Sequence, residues 1–236
     1  MNLILLYSSD FISQDVVSLS DARHSQIYDI HKSSVGDTVR VGKINGLIGQ
    51  GIITVINKKL VQLKINLTIK PPAKLPLTLV LALPRPKMLR RIFRTIAELG
   101  VTELHLINSY RVEKSFWQTH VLEKKAIEKS LLLGLQQAKD TILPKVEIHQ
   151  RFKPFLEDNF PTLVENKKTL LAHPDTGNPC PHNIDQSTVL VVGPEGGFTP
   201  YEVKKLIDAG CEGIHLGPRI LRVENAVNVL IAKLFS

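Results

Sequence analysis

The chain has 236 residues, 43% hydrophobic and 22% charged, enough to build a sizeable core in one large or two modest domains. Lysine and arginine number 30 against 22 aspartates and glutamates, and the resulting net charge of +8 suits a polyanionic partner. Cys180 and Cys211 form no CxxC and no metal-ligand spacing, no apolar run reaches the roughly 18 residues of a membrane span, and Met1 to Tyr7 meets Ser8-Ser9-Asp10 too early for a signal peptide, so disulfide-stapled, zinc-built, membrane-spanning and secreted classes are set aside for a cytoplasmic protein with reduced thiols.

The first seventy residues read mainly as β. A helix is predicted from Asp21 to His31 with Ser20 as its cap. Val39 to Ile44 and Leu47 to Ile56 flank Asn45-Gly46, whose tolerance of positive φ predicts a type I′ hairpin turn. Leu60 to Ile69 alternates as Val61, Leu63, Ile65, Leu67, Ile69, the pattern of a half-buried strand. Lys70-Pro71-Pro72-Ala73-Lys74 breaks every pattern and reads as a stiff linker, dividing residues 1–70 from residues 75–236.

Beyond the linker, strands and helices alternate. Leu77 to Leu83 reads as a buried strand, and a helix begins at Pro86 with Leu89, Ile92, Phe93, Ile96 and Leu99 at helical spacing. Strands follow at Glu103 to Asn108, Val146 to His149 and Thr169 to Ala172, with a long helix from Phe116 to Ala138 and a short one near Pro154. Val189 to Val192 enters Gly193-Pro194-Glu195-Gly196-Gly197, and then Thr199-Pro200 with Glu202 spells N-cap, N1 and capping box for a helix ending at Gly210. A strand from Gly213 to Leu216 opens into Gly217-Pro218-Arg219, and the last helix is predicted from Val223 to Leu234. This alternation implies an α/β domain whose parallel sheet is covered on both faces.

Two strand ends with Gly-Pro loops so close in sequence are how such a sheet builds a ligand pocket from backbone groups. The first loop has neither the Lys-Ser/Thr of a P-loop nor G-x-G-x-x-G spacing, so no pyrophosphate site is implied. Ordinary strand-to-helix turns would leave the same pattern, but Arg219 and Arg222 stand beside the loops, where a purely structural turn has no need of cations. The alternative for each arginine is a carboxylate partner or solvent.

GPEGGFTPYEV followed by LGPRILRVENAVNVLIA resembles the C-terminal signature of the RsmE family, the 16S ribosomal RNA uracil-N3 methyltransferases of the SPOUT class. The resemblance extends to Ala97-Glu98-Leu99-Gly100-Val101, Gln136-Gln137-Ala138, Leu171-Ala172-His173-Pro174 and Val35-Gly36-Asp37, and so spans essentially the whole chain. It implies an N-terminal PUA-like RNA-binding β-barrel in residues 1–70 and a SPOUT α/β domain with a trefoil knot in residues 75–236, paired as a homodimer. The implied reaction is methylation of N3 of a uridine in 16S ribosomal RNA of the small ribosomal subunit, with S-adenosyl-L-methionine as cofactor and no metal. Another SPOUT reaction (ribose 2′-O or guanine N1 methylation) and a non-catalytic ribosome assembly factor are the alternatives. The chain departs from the family pattern at Asn225 (commonly threonine), Thr95 (commonly lysine), Gln136 (commonly glutamate) and Lys32 (commonly arginine).

The resemblance assigns cofactor contacts to Leu171, Ala172, His173, Gly193, Pro194, Glu195, Gly196, Leu216, Gly217, Ile220, Leu221 and Asn225. Glu195 balances a sulfonium, caps a nearby amide or pairs with an arginine, and His173 reads more readily as structural. Arg219 and Arg222 are the catalytic candidates, because loss of the N3 proton spreads charge over two uracil carbonyls that a cation favours. Glu224 is the candidate proton acceptor, although a glutamate at N2 of the last helix equally suits the helix dipole. Lys87, Arg90, Arg91 and Arg94 recur opposite the apolar stripe of their helix, and with Arg23 and Lys32 they are the RNA-binding candidates; a solvated face is the alternative. His24 and Arg40 extend that set, and Phe116 and Trp117 either stack on a base or serve the core.

Overall fold

A computed structural model of the protein describes residues 2–235. They form two compact units: residues up to Ala73 together with Leu132–Leu143, and Lys74–Leu131 together with residues from Pro144 onward. Residues 132–143, which the linker-based division put in the second region, thus belong to the first. Their backbone is tied there, with Leu3 N–H donating to Gln136 O at 3.1 Å and Asn45 N–H to Thr141 O at 2.8 Å.

The first unit contains β1 (Ile4–Leu6), β2 (Val16–Leu19), α1 (Ala22–Ser25), β3 (Thr38–Lys43), β4 (Ile48–Ile56) and β5 (Val61–Ile69). The sheet order is β1-β3-β4-β5-β2, with β1 parallel to β3 and the remaining pairs antiparallel. The sheet curls into a half-barrel with β1 and β2 as its edges. Its concave face carries the alternation expected of a half-buried sheet, with Val39, Val41, Ile53, Val61, Leu63 and Ile65 in one apolar cluster with Ile4, Leu6, Val17, Leu19 and Ile27.

Two local expectations change here. Asp21, not Ser20, caps the helix, accepting the Arg23 N–H, and a wider π-type turn over Gln26–Ile30 replaces the predicted continuation. At the hairpin, only Asn45 has positive φ (57°), while Gly46 N–H closes onto Lys43 O at 2.8 Å. The bend is therefore a four-residue turn with Asn45 third, as in type II, because Asn45 Oδ1 accepts from Leu143 N–H and Thr141 Oγ1 donates to Gly46 O. Tertiary partners, not the dipeptide alone, set the turn.

The second unit holds β6 (Leu75–Ala82), α2 (Pro86–Glu98), β7 (Val101–Ile107), the start of α3 (Lys124–Ala138), β8 (Lys145–His149), α4 (Phe152–Pro154), α5 (Phe160–Val164), β9 (Lys168–Ala172), β10 (Asn178–Pro179), β11 (Thr188–Val192), α6 (Pro200–Asp208), β12 (Glu212–His215) and α7 (Val223–Leu234). One parallel sheet runs β10-β12-β9-β11-β6-β7-β8. Leu79, Val80, Leu81 and Ala82 of β6 and the whole of β11 are buried, as central parallel strands covered on both faces must be. The long helix predicted from Phe116 is shorter: Thr119 and Glu123 are extended (ψ 138° each), and two 3₁₀ turns occupy Lys114–Gln118 and His120–Leu122 before α3 begins. Trp117, which donates from Nε1 to Asn108 Oδ1 at 3.0 Å, holds that segment to the end of β7.

Candidate functional site

In a parallel sheet all strands end on the same edge, and β12, β9 and β11 are neighbours, so the loops after them converge. They enclose a cavity of about 450 Å³. The β9 loop contributes Ala172 to Asp175, with His173 N–H donating to Ile214 O at 2.9 Å and Thr176 Oγ1 to His173 O at 2.7 Å. The β11 loop contributes Gly193 to Phe198 and closes through Gly197 N–H to Pro194 O at 2.8 Å, with Gly197 at φ +70°. The β12 loop contributes Leu216, Gly217 and Arg219 to Arg222, and then Val223, Ala226 and Leu230 of α7 line the same space. Arg222 is the N-cap of α7 without a side-chain cap bond, so the positive end of a twelve-residue helix opens beside the cavity.

The charges around this space are unevenly matched. Arg219 and Arg222 are exposed, line the cavity, and have no ion-pair partner among the described residues. Glu195 accepts the Arg85 N–H at 3.0 Å, an amide cap of the kind expected for it, which satisfies the N-cap of α2. Arg111, from the loop after β7, also lines the cavity, and its Nη1 donates to Gly196 O. A Cβ on Gly196 would lie 3.2 Å from both Cβ and Cδ of Arg111, so the arginine stem lies along the glycine. The frame behind these loops is Glu202. Only 3% exposed, it accepts from Thr199 N at 2.8 Å, Thr199 Oγ1 at 2.9 Å and Tyr110 N at 2.7 Å, completing the predicted capping box and pinning the Tyr110–Arg111 loop to α6.

Most of the residues expected at the site meet here: Ala172, His173, Gly193, Pro194, Glu195, Gly196, Leu216, Gly217, Ile220, Leu221, Arg219 and Arg222 all line the cavity. Three others do not. Leu171 lies in the sheet with no exposure, Asn225 points to solvent, and Glu224 sits in the first turn of α7 outside the lining, where its charge suits the helix dipole. Arg111, Asp175, Phe198 and His215 line the cavity but were not anticipated. Arg111 is 85 residues from Gly196 in sequence, and only the sheet order joins them.

On α2, Leu89, Ile92, Phe93 and Ile96 are buried while Lys87, Arg90, Arg91 and Arg94 are all exposed. None has an acidic partner among the described residues; Arg90 Nη2 lies 3.0 Å from His120 Nε2. Trp117 and Phe116 are half-buried. In the first unit Lys32 and Arg40 are exposed, but Arg23, expected beside them, is half-buried and held within the fold. Its guanidinium binds Asp10 at 2.6 and 2.8 Å, Asp21 at 2.7 Å and Leu5 O at 2.7 Å, with its side chain 12% exposed, so its donors are taken up in an internal clamp. That clamp raises the pKa of Arg23 against the cost of burial and lowers that of Asp21 through the Arg23 hydrogen bond. His24 is buried, its Nε2 2.8 Å from Asn57 O.

Adjacent strand ends bearing glycine-rich loops over a half-open cavity define the ligand-binding α/β class. Residues 71–234 match the family model for the RNA methyltransferase domain, and the chain belongs to that family, on its RsmE branch. It is 29% identical over 232 residues to the ribosomal RNA small subunit methyltransferase E of Treponema pallidum, covering 96% of this chain and 87% of the relative. It is 27% identical over 230 residues to ribosomal RNA small subunit methyltransferase E 1 of Borreliella burgdorferi, covering 96% and 94%. The fold matches the ribosomal RNA small subunit methyltransferase E of Neisseria gonorrhoeae, a structure bound to S-adenosyl methionine, with a TM-score of 0.79 at 20% identity over 98% of this chain and 95% of that one. No helix among the described residues is long and apolar enough to cross a membrane.

Proposed function

We propose that the protein transfers a methyl group from S-adenosylmethionine to N3 of a uridine in 16S ribosomal RNA of the small ribosomal subunit, working in the cytoplasm as a homodimer. The observation that carries this reading is the three-loop cavity with Arg219 and Arg222 at its margin, in a chain similar along its length to proteins of that name. Its volume of about 450 Å³ falls in the range of small-molecule sites. Its apolar lining (Ala172, Val192, Leu216, Ile220, Leu221) alternates with backbone groups of the glycine loops, which fits a neutral planar adenine without a basic clamp.

S-adenosylmethionine, when bound, supplies an electrophilic methyl group. The chain supplies position and charge. The loop backbones hold the donor, while Arg219 and Arg222, with the amino end of α7, favour the uracil anion that forms as N3 gives its proton to solvent water. Glu224 is not given the proton, since it lies outside the cavity lining. Lys87, Arg90, Arg91 and Arg94 contact phosphates, and the half-barrel unit with Lys32 and Arg40 adds to RNA binding. A trefoil knot in the C-terminal segment and a Leu75-onward catalytic domain belong to the same reading.

The test is mass spectrometry of 16S ribosomal RNA after incubation of small-subunit particles with the protein and S-adenosylmethionine, expecting 3-methyluridine. Methylation of a ribose oxygen or a guanine would overturn the uridine assignment. Cofactor and RNA binding without any methylated product would favour an assembly factor. Sedimentation at twice the chain mass checks the homodimer.

A further inference from the structure

We infer that Arg111 is an oxyanion-binding residue of the cavity; the inference rests on the ligand reading above and extends it to a group that the sequence motifs do not contain. Arg111 comes from the loop after β7, two strands away from β11, yet it lines the cavity beside the Gly193–Gly197 loop. One arm is fixed: Nη1 donates to Gly196 O, and the aliphatic stem lies along Gly196, where even a Cβ would stand 3.2 Å from its Cβ and Cδ. The backbone behind it is fixed as well, since the buried Glu202 carboxylate takes the neighbouring Tyr110 N–H at 2.7 Å.

The other arms are not used. Nε and Nη2 have no protein partner among the described residues, although the guanidinium is exposed at the cavity. A guanidinium immobilised through one nitrogen and its stem presents its remaining donors as a planar edge, the shape that carboxylates and phosphates take up with two parallel hydrogen bonds. Holding a carbonyl alone would not require a guanidinium, since any N–H donor satisfies one acceptor. The ligand group is therefore an oxyanion, with two sources in the proposed reaction: the amino-acid carboxylate of the methyl donor, or a backbone phosphate of the target nucleotide. The contact with Gly196, in the loop that cradles the donor, favours the carboxylate.

Calorimetry with two probes separates the cases. S-adenosylhomocysteine carries the amino-acid end, and 5′-methylthioadenosine lacks it while keeping the adenosine and the thioether. For Arg111→Ala, and largely for Arg111→Lys, affinity for S-adenosylhomocysteine is expected to fall about ten- to a hundredfold, the loss of a charge-assisted pair. Affinity for 5′-methylthioadenosine is expected to stay unchanged. If both probes keep their affinity while the KM for small-subunit particles rises and the salt slope of RNA binding drops by about one, the oxyanion is a phosphate. If both probes weaken together, Arg111 only props the Gly196 loop and the inference fails. It fails equally if neither probe affinity nor RNA binding changes. Wild-type protein that binds neither probe would defeat the cofactor reading itself, a separate outcome visible before any variant is made.

Discussion

Arg222 ends a loop with its backbone and begins α7, so its side chain stands where the cavity, the helix amino end and solvent meet. With no carboxylate among the described residues holding it, its charge is available to a group that becomes anionic only during reaction. Arg222→Ala should therefore leave S-adenosylhomocysteine affinity nearly intact and lower turnover about 10²–10³-fold, the cost of removing one preorganised charge donor. Measurement at saturating RNA keeps weak binding from passing for slow chemistry; normal turnover would move the role to Arg219. Gly196 offers a second test at the same scale. Its φ is not in the left-handed region, which falls on Gly197, so a side chain at 196 is opposed by the Arg111 stem and not by backbone strain. Gly196→Val should weaken S-adenosylhomocysteine binding about tenfold by overpacking. In an Arg111→Ala background, which removes the Cγ and Cδ contacts but keeps the Cβ, the same change should cost less, a coupling that a double-mutant cycle reads directly. Residues of the GPEGG and LGPRILR segments were legible because each motif is contiguous. Arg111 was not, because nothing within Asn108 to Glu113 distinguishes an arginine that faces solvent from one that reaches a loop 85 residues on.

Elements were legible where local chemistry decides them. Thr199-Pro200 and Glu202 form the capping box in the structure as the sequence spells it, and α7 spans Val223–Leu234 as its apolar stripe requires. Where tertiary partners decide, the reading slipped: Trp117 draws the segment before α3 onto Asn108, and the Asn45-Gly46 turn is shaped by Thr141 and Leu143. Helix α2 shows what pattern leaves open. Its buried stripe says which face is inside, but the outward Lys87, Arg90, Arg91 and Arg94 are equally a solvated face or a phosphate ladder. Changing all four to alanine should weaken binding to small-subunit particles and reduce the slope of log affinity against log salt by about 0.7–0.9 for each phosphate that is no longer neutralised. An unchanged slope would assign the face to solvent. Because none of the four side chains is buried, thermal stability should move little, which separates a weakened RNA interface from a damaged fold.

At the scale of the whole molecule, the β-α alternation was enough to predict a parallel sheet, but not its strand order, since every short crossover is locally alike. That order also puts β7 and β8 at one side of the sheet, where His105 and His149 stack with ring centroids 5.2 Å apart and Nδ1 of one lies 3.0 Å from Nε2 of the other. A single proton serves that contact, so two imidazolium rings would oppose each other across it. His105 Nε2 also lies 3.2 Å from Glu103 Oε1 without the alignment of a full hydrogen bond, while Lys145 holds the same carboxylate at 3.0 Å, Glu147 binds Lys145 and Phe155 covers both rings. Burial lowers the pKa of both histidines below the ordinary 6.5; for His105 the Glu103 charge opposes that shift without reversing it. The unfolded chain therefore takes up protons at these positions more readily than the folded one. Their contribution to stability is complete above 6.5 and is lost as pH falls from there toward the folded values. Glu103 and Asp21, both lowered in the fold, act in a separate and more acid window, below their ordinary values of 4.5 and 3.8. The melting temperature should accordingly decline in two stages on acidification, the first beginning as pH falls below 6.5. His105→Phe, which keeps an aromatic ring beside Phe155 and removes one titrating site, should flatten the first stage and leave the second. A wild-type melting temperature that stays level through the first window would mean that the two imidazoles take up protons in the folded sheet as easily as in water.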